Sequence, residues 1–163
     1  MTAGQYAACS RWLGRTPRRA RCFRAAFRLL PVVIAAVYAV GAGLLLWQDH
    51  PMKWRFLAVP ALTFCVVSLL RRWLNFPRPY DQMEYSAFLS AEPGKGKSFP
   101  SRHTASAAAI ALAFCQVSSV WGAVFWALAV LVALSRVAGG AHYIRDVAAG
   151  LLLPLVFLPL YFL

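Results

Sequence analysis

Three short polar patterns interrupt an otherwise apolar chain, and together they hold the side chains that phosphoryl transfer requires. That chemistry needs a nucleophile, a proton donor and fixed cations around the phosphate. His142 and Asp146 are four residues apart, so on a helix they would share one face. The patterns are Arg71 with Arg78-Pro79, then Pro100-Ser101-Arg102-His103, then Ser135-Arg136 with His142 and Asp146.

Each pattern taken alone also has a structural explanation. Arg71 and Arg72, at a predicted helix end, could extend to a membrane interface, as basic side chains there commonly do. His103 could cap or pack, and His142 with Asp146 could form a structural hydrogen bond. The three patterns together are harder to explain in this way, because they take two of the three histidines and one of the five carboxylates. The set therefore favours a catalytic site.

The elements that must position these residues are predicted to be membrane helices. Of the 163 residues, 61% are hydrophobic, and the mean hydropathy is +0.60, which is too apolar for a typical soluble domain. A run of about 20 apolar residues can cross a bilayer. We predict an all-α integral membrane helical bundle with about five transmembrane helices. The predicted spans are residues 29–48, 54–74, 104–117, 121–134 and 141–163, of which the third and fourth are short.

A basic segment, residues 1–28, precedes the first span and carries seven arginines interleaved with aromatic side chains. This composition predicts an N-terminal helix in the headgroup region, with its basic side towards anionic membrane lipids. Pro17 is expected to divide it into two helical pieces. The chain is accordingly divided into a basic amphipathic membrane-surface segment, residues 1–28, and a transmembrane catalytic domain, residues 29–163.

The net charge is +12, from 17 lysines and arginines against five acidic residues. Nucleic acid is a disfavoured partner because most of the chain would lie in lipid, so anionic lipid headgroups or a phosphorylated substrate explain the charge better. No cofactor and no metal is implied, since the loop carboxylates Asp81 and Glu84 lack an accompanying histidine pair or second acidic cluster. The run Gly96-Lys97-Ser98 is similar to the end of a phosphate-binding P-loop, but position 91 is alanine where that motif requires glycine.

Helix order predicts where the polar residues meet. With five spans, the N-terminus, the long loop of residues 75–100 and the Gly139-Gly140 loop all lie on one membrane face. Ser101 is a predicted N-cap for the third helix, and His142 lies near the predicted start of the fifth. Two helix N-termini would then direct unpaired N–H groups at one anion.

The three patterns, in this order, resemble those of the type-2 phosphatidic acid phosphatase family, which shares its site with vanadium haloperoxidases and bacterial acid phosphatases. The family has a basic residue, six positions and Arg-Pro; then Pro-Ser-x-His; then Ser-Arg, five positions, His, three positions and Asp. Two positions depart, because Arg71 stands where lysine is more common and Arg102 where glycine is. The resemblance covers residues 71–146 and implies a membrane lipid phosphatase.

The resemblance also implies a role for each residue. His142 would attack phosphorus to form a phosphohistidine, and Asp146 would hold the other ring nitrogen of that imidazole. His103 would protonate the departing lipid oxygen and then activate water. The implied phosphate-binding residues are Arg71, Arg78, Ser101, Arg102 and Arg136, with Arg102 contributing its backbone N–H.

The expected substrate is a lipid phosphate, such as phosphatidic acid, phosphatidylglycerol phosphate or undecaprenyl diphosphate. One alternative is a phosphotransferase that passes the phosphoryl group to an acceptor other than water. A second is an inactive membrane protein that binds anionic lipid, although such a protein would not need His142 with Asp146. A vanadate-dependent peroxidase is disfavoured because relatives with that activity are soluble.

The charge distribution predicts a multi-pass protein of the cell membrane with its site in the cytoplasm. Fifteen basic residues fall on the predicted site face, whereas the opposite face has only Lys53 and Arg55. The positive-inside rule places the richer face in the cytoplasm. A cytoplasmic site favours glycerophospholipid substrates over undecaprenyl diphosphate, which relatives are expected to process on the outer face.

Overall fold

The structure is a computed structural model that describes residues 1–82, 88 and 96–162. Every regular element in these residues is helical, which confirms the all-α prediction. The elements are α1 (Ala3–Gly14), α2 (Pro17–Trp47), α3 (Lys53–Leu74), α4 (Pro79–Gln82), α5 (Arg102–Cys115), α6 (Ser119–Ala138), α7 (Ile144–Leu152) and a 3-10 helix (Leu153–Tyr161).

The basic N-terminal segment forms α1 and the first part of α2. A capping box starts α1, because the Thr2 hydroxyl accepts from the Gln5 N–H and the Gln5 side chain accepts from the Thr2 N–H. Pro17 lies in the first turn of α2, where its missing N–H costs nothing, and the expected division there is confirmed.

Helix α2 then continues past residue 28 without a break. Its 31 residues span roughly 46 Å, whereas a hydrocarbon core is about 30 Å thick. One helix therefore contains both the end of the basic segment and the first span. That residues before 29 lie at the membrane surface and those after 28 lie within the membrane stays a prediction.

Four segments are long and apolar enough to cross a membrane: Pro17–Trp47, Lys53–Gln82, Ser119–Ala138 and Ile144–Tyr161. Helix α5 has only 14 residues, which span roughly 21 Å, and ten of them are buried. The expected bundle of about five apolar helices is confirmed, with four full-length members around a short central one. The chain is a multi-pass membrane protein.

Small residues on α5 let its neighbours approach closely. Six of its alanines are buried, and α5 packs against α3, α6 and α7. Near the far end of α5, the Phe114 ring stacks on Phe125 of α6 with centroids 4.1 Å apart and meets Phe56 of α3 edge-on at 5.2 Å. This packing fixes the start of α5, where His103 is located, relative to α3 and α6.

Successive helices alternate in direction, so the three predicted polar regions meet at one end of the bundle. The Tyr6 hydroxyl of α1 donates to the backbone oxygen of His142 (3.1 Å), and the Tyr143 hydroxyl bonds Gln82 (2.8 Å). At the opposite end, Arg55 donates to the Tyr161 carbonyl (3.2 Å). The predicted convergence on a single face is present in the structure.

Candidate active site

A cavity of about 210 Å³ lies at the polar end of the bundle. It has room for several water molecules at roughly 30 Å³ each, which is the scale of a phosphate group with its first hydration. Six of the residues singled out in the sequence line it. The lining residues are Phe27, Arg71, Arg78, Arg102, His103, Arg136, Ala141 and His142.

His142 occupies the turn between α6 and α7. Gly140 adopts a φ of 76°, a left-handed conformation that other residues rarely adopt, and the N–H groups of Ala141 and His142 both donate back to the Arg136 carbonyl (3.0 and 3.3 Å). The imidazole is 3% exposed. Burial lowers the pKa of His142, and the hydrogen bond to Asp146 only partly opposes that effect. The ring is therefore neutral at physiological pH, as a nucleophile must be.

Asp146 holds the ring from one side. Its Oδ2 atom lies 3.5 Å from His142 Nδ1 and accepts the Tyr143 N–H at 3.0 Å. The second contact caps α7. The sequence predicted that this helix starts near position 141, but it begins at Ile144. His142 therefore precedes the helix instead of sharing a face of it, and the pair meets because the capping carboxylate turns back towards the loop.

Ser98 is a site residue that the sequence interpretation missed. It is fully buried, its hydroxyl donates to Asp146 Oδ2, and Oγ lies 3.4 Å from His142 Nδ1. With Asp146 and Ser98 both at Nδ1, the Nε2 atom is the ring nitrogen left for the cavity. The run Gly96-Lys97-Ser98 did stand out in the sequence, but only as an incomplete P-loop.

Arg71 organises the loop that carries Ser98. It is 8% exposed, and its Nη1 donates to the carbonyls of Ser98 (3.2 Å) and Pro100 (2.7 Å). Arg78 acts similarly, since its Nε donates to the Gly96 carbonyl (3.3 Å). These contacts use part of each guanidinium and leave the remaining N–H groups for an anion, because arginine carries five donors.

Arg136 is fixed by Phe27, a second residue that the sequence interpretation missed. Its Nη2 donates to the Phe27 carbonyl (2.8 Å), and the guanidinium carbon lies 3.6 Å from the centroid of the same ring. The Arg136 Nε is buried and has no hydrogen-bond partner among the described residues. An unmade buried hydrogen bond costs about 1–3 kcal/mol, which a phosphate oxygen in the cavity would recover.

His103 lies in the first turn of α5, exposed at the cavity wall. Desolvation by the surrounding protein, followed by the positive charge of Arg136, lowers the pKa of His103. An empty cavity therefore holds His103 neutral. A bound phosphate would offset the arginine charges and favour the protonated imidazole.

The predicted N-cap, Ser101, is confirmed as the residue that starts α5, but its polar groups are directed elsewhere. Its hydroxyl lies 3.0 Å from Thr104 Oγ1, and its N–H donates to the Asp146 carbonyl (2.9 Å). A Cβ on Gly150 would lie 2.9 Å from the Ser101 carbonyl, so glycine there permits this contact between α5 and α7. Ser101 does not line the cavity and instead positions Asp146. Ser135 of the third pattern likewise bonds its own helix, at the Val132 carbonyl (2.7 Å).

Two further cavities adjoin the first. The apolar groove, of about 300 Å³, is lined by Pro31, Ile34, Ala35, Phe64, Arg102, His103, Ser106, Ala107 and Ile110. The second cationic cavity, of about 470 Å³, is lined by Ser68, Arg71, Arg72, Arg78, Gly96, Lys97 and Arg102.

Asp81, the acidic residue of the long loop that the structure describes, does not line the cavity around His142. Asp81 accepts the Arg78 N–H at 3.0 Å, and Glu84 and position 91 lie outside the described residues. Within the described ranges, no three histidine, cysteine or acidic side chains come together as metal ligands would.

Comparison with known proteins identifies one family. The family model described as PAP2 superfamily matches residues 52–163. Lipid A 1-phosphatase of Rhizobium etli is 36% identical over 90 residues, which are 53% of this chain and 38% of that protein. Lipid A 1-phosphatase of Rhizobium johnstonii is also 36% identical over 90 residues, or 53% and 36% of the two chains. The chain thus spans less than two fifths of the length of these relatives.

Two solved structures share the fold. The transmembrane PAP2 type phosphatidylglycerolphosphate phosphatase from Bacillus subtilis superposes with a TM-score of 0.71 at 22% identity, covering 97% of this chain and 83% of that one. Aquifex aeolicus LpxE superposes with a TM-score of 0.58 at 23% identity, covering 87% and 93%. At these identities, the likeness concerns the arrangement of the helices.

Proposed function

This chain belongs to the PAP2 superfamily, and we propose that it is a metal-independent membrane phosphatase that removes a phosphate group from a lipid. The observation that carries this proposal is the junction of two cavities. The cationic cavity around His142 and the apolar groove share Arg102 and His103 in their walls. A phosphate in the first would be joined to a hydrocarbon chain in the second, with the bond to be cleaved near His103.

The groove fits a lipid chain because of its walls. Pro31, Ile34 and Ala35 come from α2, Phe64 comes from α3, and Ala107 belongs to α5. These are membrane helices, so a substrate chain could leave the bilayer without crossing water. A soluble phosphate ester would have no use for such a groove.

In the first half of the proposed reaction, His142 Nε2 attacks phosphorus. A P–N bond forms, the bond between phosphorus and the lipid oxygen breaks, and that oxygen takes the electron pair and a proton from His103. Asp146 and Ser98 hold Nδ1, which fixes the tautomer and stabilises the positive imidazolium.

In the second half, water replaces the lipid alcohol. His103, now neutral, removes a proton from the water as its oxygen attacks phosphorus, and the P–N bond breaks to regenerate His142. Arg71, Arg78 and Arg136 neutralise the oxygens of the phosphoryl group throughout, because their guanidinium groups are already held in place by backbone carbonyls.

The candidate substrates are phosphatidic acid, phosphatidylglycerol phosphate and undecaprenyl diphosphate. Lipid A joins them, because it is named in the relatives that share 36% identity over 90 residues. The site is proposed to face the cytoplasm, and anionic lipids are proposed to contact the basic helix α1 and the start of α2.

The test is release of phosphate from these lipids by the purified, detergent-solubilised protein with EDTA present. We expect release by the unmodified protein and by His50→Ala, which alters a histidine at the opposite end of the bundle. We expect none by His142→Ala. Equal release by His142→Ala would contradict the nucleophile, and transfer to an added alcohol without release to water would indicate a phosphotransferase.

A further inference from the structure

Tyr6 of α1 contacts the turn that carries the proposed nucleophile. Its side chain is 1% exposed, and its hydroxyl donates to the backbone carbonyl of His142 at 3.1 Å. Burial raises the pKa of Tyr6 to about 12, so the hydroxyl stays protonated and can donate throughout the neutral pH range. The two residues are 136 positions apart, and Tyr6 belongs to none of the three polar patterns in the sequence.

The backbone of His142 lies between two helices and belongs to neither. Helix α6 ends at Ala138, and α7 begins at Ile144. The carbonyl of Tyr143 accepts N–H groups from the first turn of α7, whereas the carbonyl of His142 accepts the Tyr6 hydroxyl. A buried carbonyl without a donor costs free energy, so the hydroxyl stabilises the one conformation of the turn in which this bond forms.

Tyr6 also contacts the residue that follows the proposed nucleophile. Its ring meets that of Tyr143 edge-on, with centroids 6.4 Å apart and an interplanar angle of 81°. The Tyr143 N–H donates to Asp146 Oδ2 (3.0 Å), and the same oxygen lies 3.5 Å from His142 Nδ1. Tyr6 therefore holds the backbone of His142 directly and contacts the residue whose N–H holds the carboxylate beside the imidazole.

The packing of α1 fixes the position of Tyr6. Leu13, about two turns further along this helix, is 5% exposed, and Ser10 Oγ accepts the Phe88 N–H at 3.0 Å. A helix of 12 residues is marginal in water by itself, so α1 depends on such contacts. Helix α1 also precedes residues 52–163, which the family model matches, so Tyr6 lies outside the part of the chain that defines the family.

We propose that Tyr6 is a positioning residue for the reaction, which holds the turn so that His142 Nε2 faces the cavity in line for attack on phosphorus. The inference rests on the proposed function, in which His142 is the nucleophile. Tyr6 is not among the residues that line the cavity around His142, so it has no contact with the phosphate in this account. It contributes to the rate of attack and not to the binding of the lipid.

Tyr6→Phe should lower kcat and leave KM unchanged. The variant keeps the ring and its contact with Tyr143 but lacks the hydroxyl, so the carbonyl of His142 loses its donor and the turn can shift. We expect kcat for the lipid that is hydrolysed fastest to fall about tenfold, because a small misplacement of a reacting atom costs at least this much.

Tyr38→Phe is the matched control. The Tyr38 hydroxyl donates to the Phe56 carbonyl at 3.0 Å, so this change also removes one hydrogen bond from a tyrosine to a backbone carbonyl. Tyr38 is on α2 and lines neither the cavity around His142 nor the apolar groove. Each variant should lower the melting temperature in detergent by about 2–4 °C, whereas only Tyr6→Phe should lower kcat. A similar fall of kcat in both variants would overturn the inference.

Single-turnover kinetics separate positioning from a loss of folded protein. With the enzyme in saturating excess over the lipid, misfolded molecules do not change the rate constant for release of the lipid alcohol, but a misplaced nucleophile lowers it. We expect this rate constant to be about tenfold lower in Tyr6→Phe. A rate constant equal to that of the unmodified protein would overturn the inference and leave the phosphatase proposal intact.

Binding of vanadate tests the inference if no lipid is hydrolysed. Orthovanadate resembles the phosphoryl group in its transition state because it can take a fifth bond from an imidazole nitrogen, whereas methylphosphonate binds through its oxygens. In calorimetry, Tyr6→Phe should bind vanadate about tenfold more weakly and methylphosphonate equally well. That result without hydrolysis by the unmodified protein would leave the role of Tyr6 standing while the phosphatase proposal fails. Equal affinity of the two proteins for vanadate, or no binding by either, would overturn the inference.

Discussion

Ser98 lies between the imidazole of His142 and the carboxylate of Asp146, within reach of both. Its position depends on Arg71, which donates to the Ser98 carbonyl and holds the loop against α3. One arginine thus has two proposed roles, since it orders the residue that contacts the proposed nucleophile and it also lines the cavity around His142.

Ser98→Ala should lower kcat by about tenfold, because one hydrogen bond that orients Asp146 and His142 is lost while Asp146 remains. KM should change little, since Ser98 does not line the phosphate cavity. Steady-state kinetics on a hydrolysed lipid would measure both. Ser119→Ala, at the opposite end of the bundle, serves as the control, and a kcat unchanged in Ser98→Ala would exclude an orienting role.

The two histidines predict an acid-shifted pH profile. The pKa of His142 is lowered, so the proposed nucleophile stays neutral to below the ordinary histidine pKa of about 6.5, and the acid limb of kcat/KM should lie below that pH. The pKa of His103 is also lowered in the empty cavity, so its protonated form is lost early as pH rises, and the basic limb of kcat/KM should also lie below about pH 6.5.

The profile of kcat should differ from that of kcat/KM. Bound phosphate offsets the arginines and raises the pKa of His103, so the basic limb of kcat should lie at higher pH. A basic limb that persists in His103→Ala would belong to the phosphate of the substrate and not to His103. Basic limbs at the same pH in kcat and kcat/KM would contradict this account of His103.

At the scale of elements, α5 positions the site because α2, α3, α6 and α7 all pack against it. It is too short to cross a bilayer by itself, yet it presents His103 at one end and packs through alanines along its length. At its other end Gly122 of α6 lies against Cys115, where an added Cβ would be 2.4 Å from Sγ and 2.8 Å from Cα.

Gly122→Ala should therefore lower the thermal stability in detergent, by about 1–3 kcal/mol of unfolding free energy, because the backbone of α5 or α6 must shift. Gly43→Ala on α2 is the matched control, since no neighbouring atom of the described residues lies within 4 Å of its added Cβ. That change should be neutral or slightly stabilising, as alanine favours a helix by about 0.5–1 kcal/mol over glycine. Equal melting temperatures for the two variants would mean that α5 and α6 do not pack this closely.

At the scale of the whole molecule, the bundle has a basic end and an opposite end with few charges. At the basic end, α1 contacts two other parts of the chain. The Phe88 N–H donates to Ser10 Oγ at 3.0 Å, and the Tyr6 hydroxyl donates to the His142 carbonyl at 3.1 Å. The same end holds the cavity and the exposed Cys22 of α2.

Cys22 provides the test of orientation. In a protein with Cys9, Cys65 and Cys115 replaced by serine, a membrane-impermeant maleimide should label Cys22 in inverted vesicles and not in intact cells, because the positive-inside rule places the basic end in the cytoplasm. Gln48→Cys at the other end of α2, in a protein that also lacks Cys22, should show the reverse. Labelling of Cys22 in intact cells would put the site outside the cell.

The sequence alone determined the all-α membrane bundle and six of the residues that line the cavity around His142. Both follow from local information. Runs of apolar residues set which segments form membrane helices, and alternating crossings set which loops share a face. The motifs that contain Arg71, His103 and His142 lie at helix ends or in those loops, so their convergence could be predicted without knowing which helices touch.

Only the tertiary structure revealed Ser98 beside His142, Phe27 under Arg136 and Tyr6 on the His142 carbonyl, at separations of 44, 109 and 136 residues. It also placed Ser101 out of the cavity and moved the start of the last helix to Ile144. The spacing of residues along a helix encodes which side chains share its face, but not which neighbour that face will meet. Those pairings, and the second cationic cavity with them, are decided by how the helices pack around the alanine-rich α5.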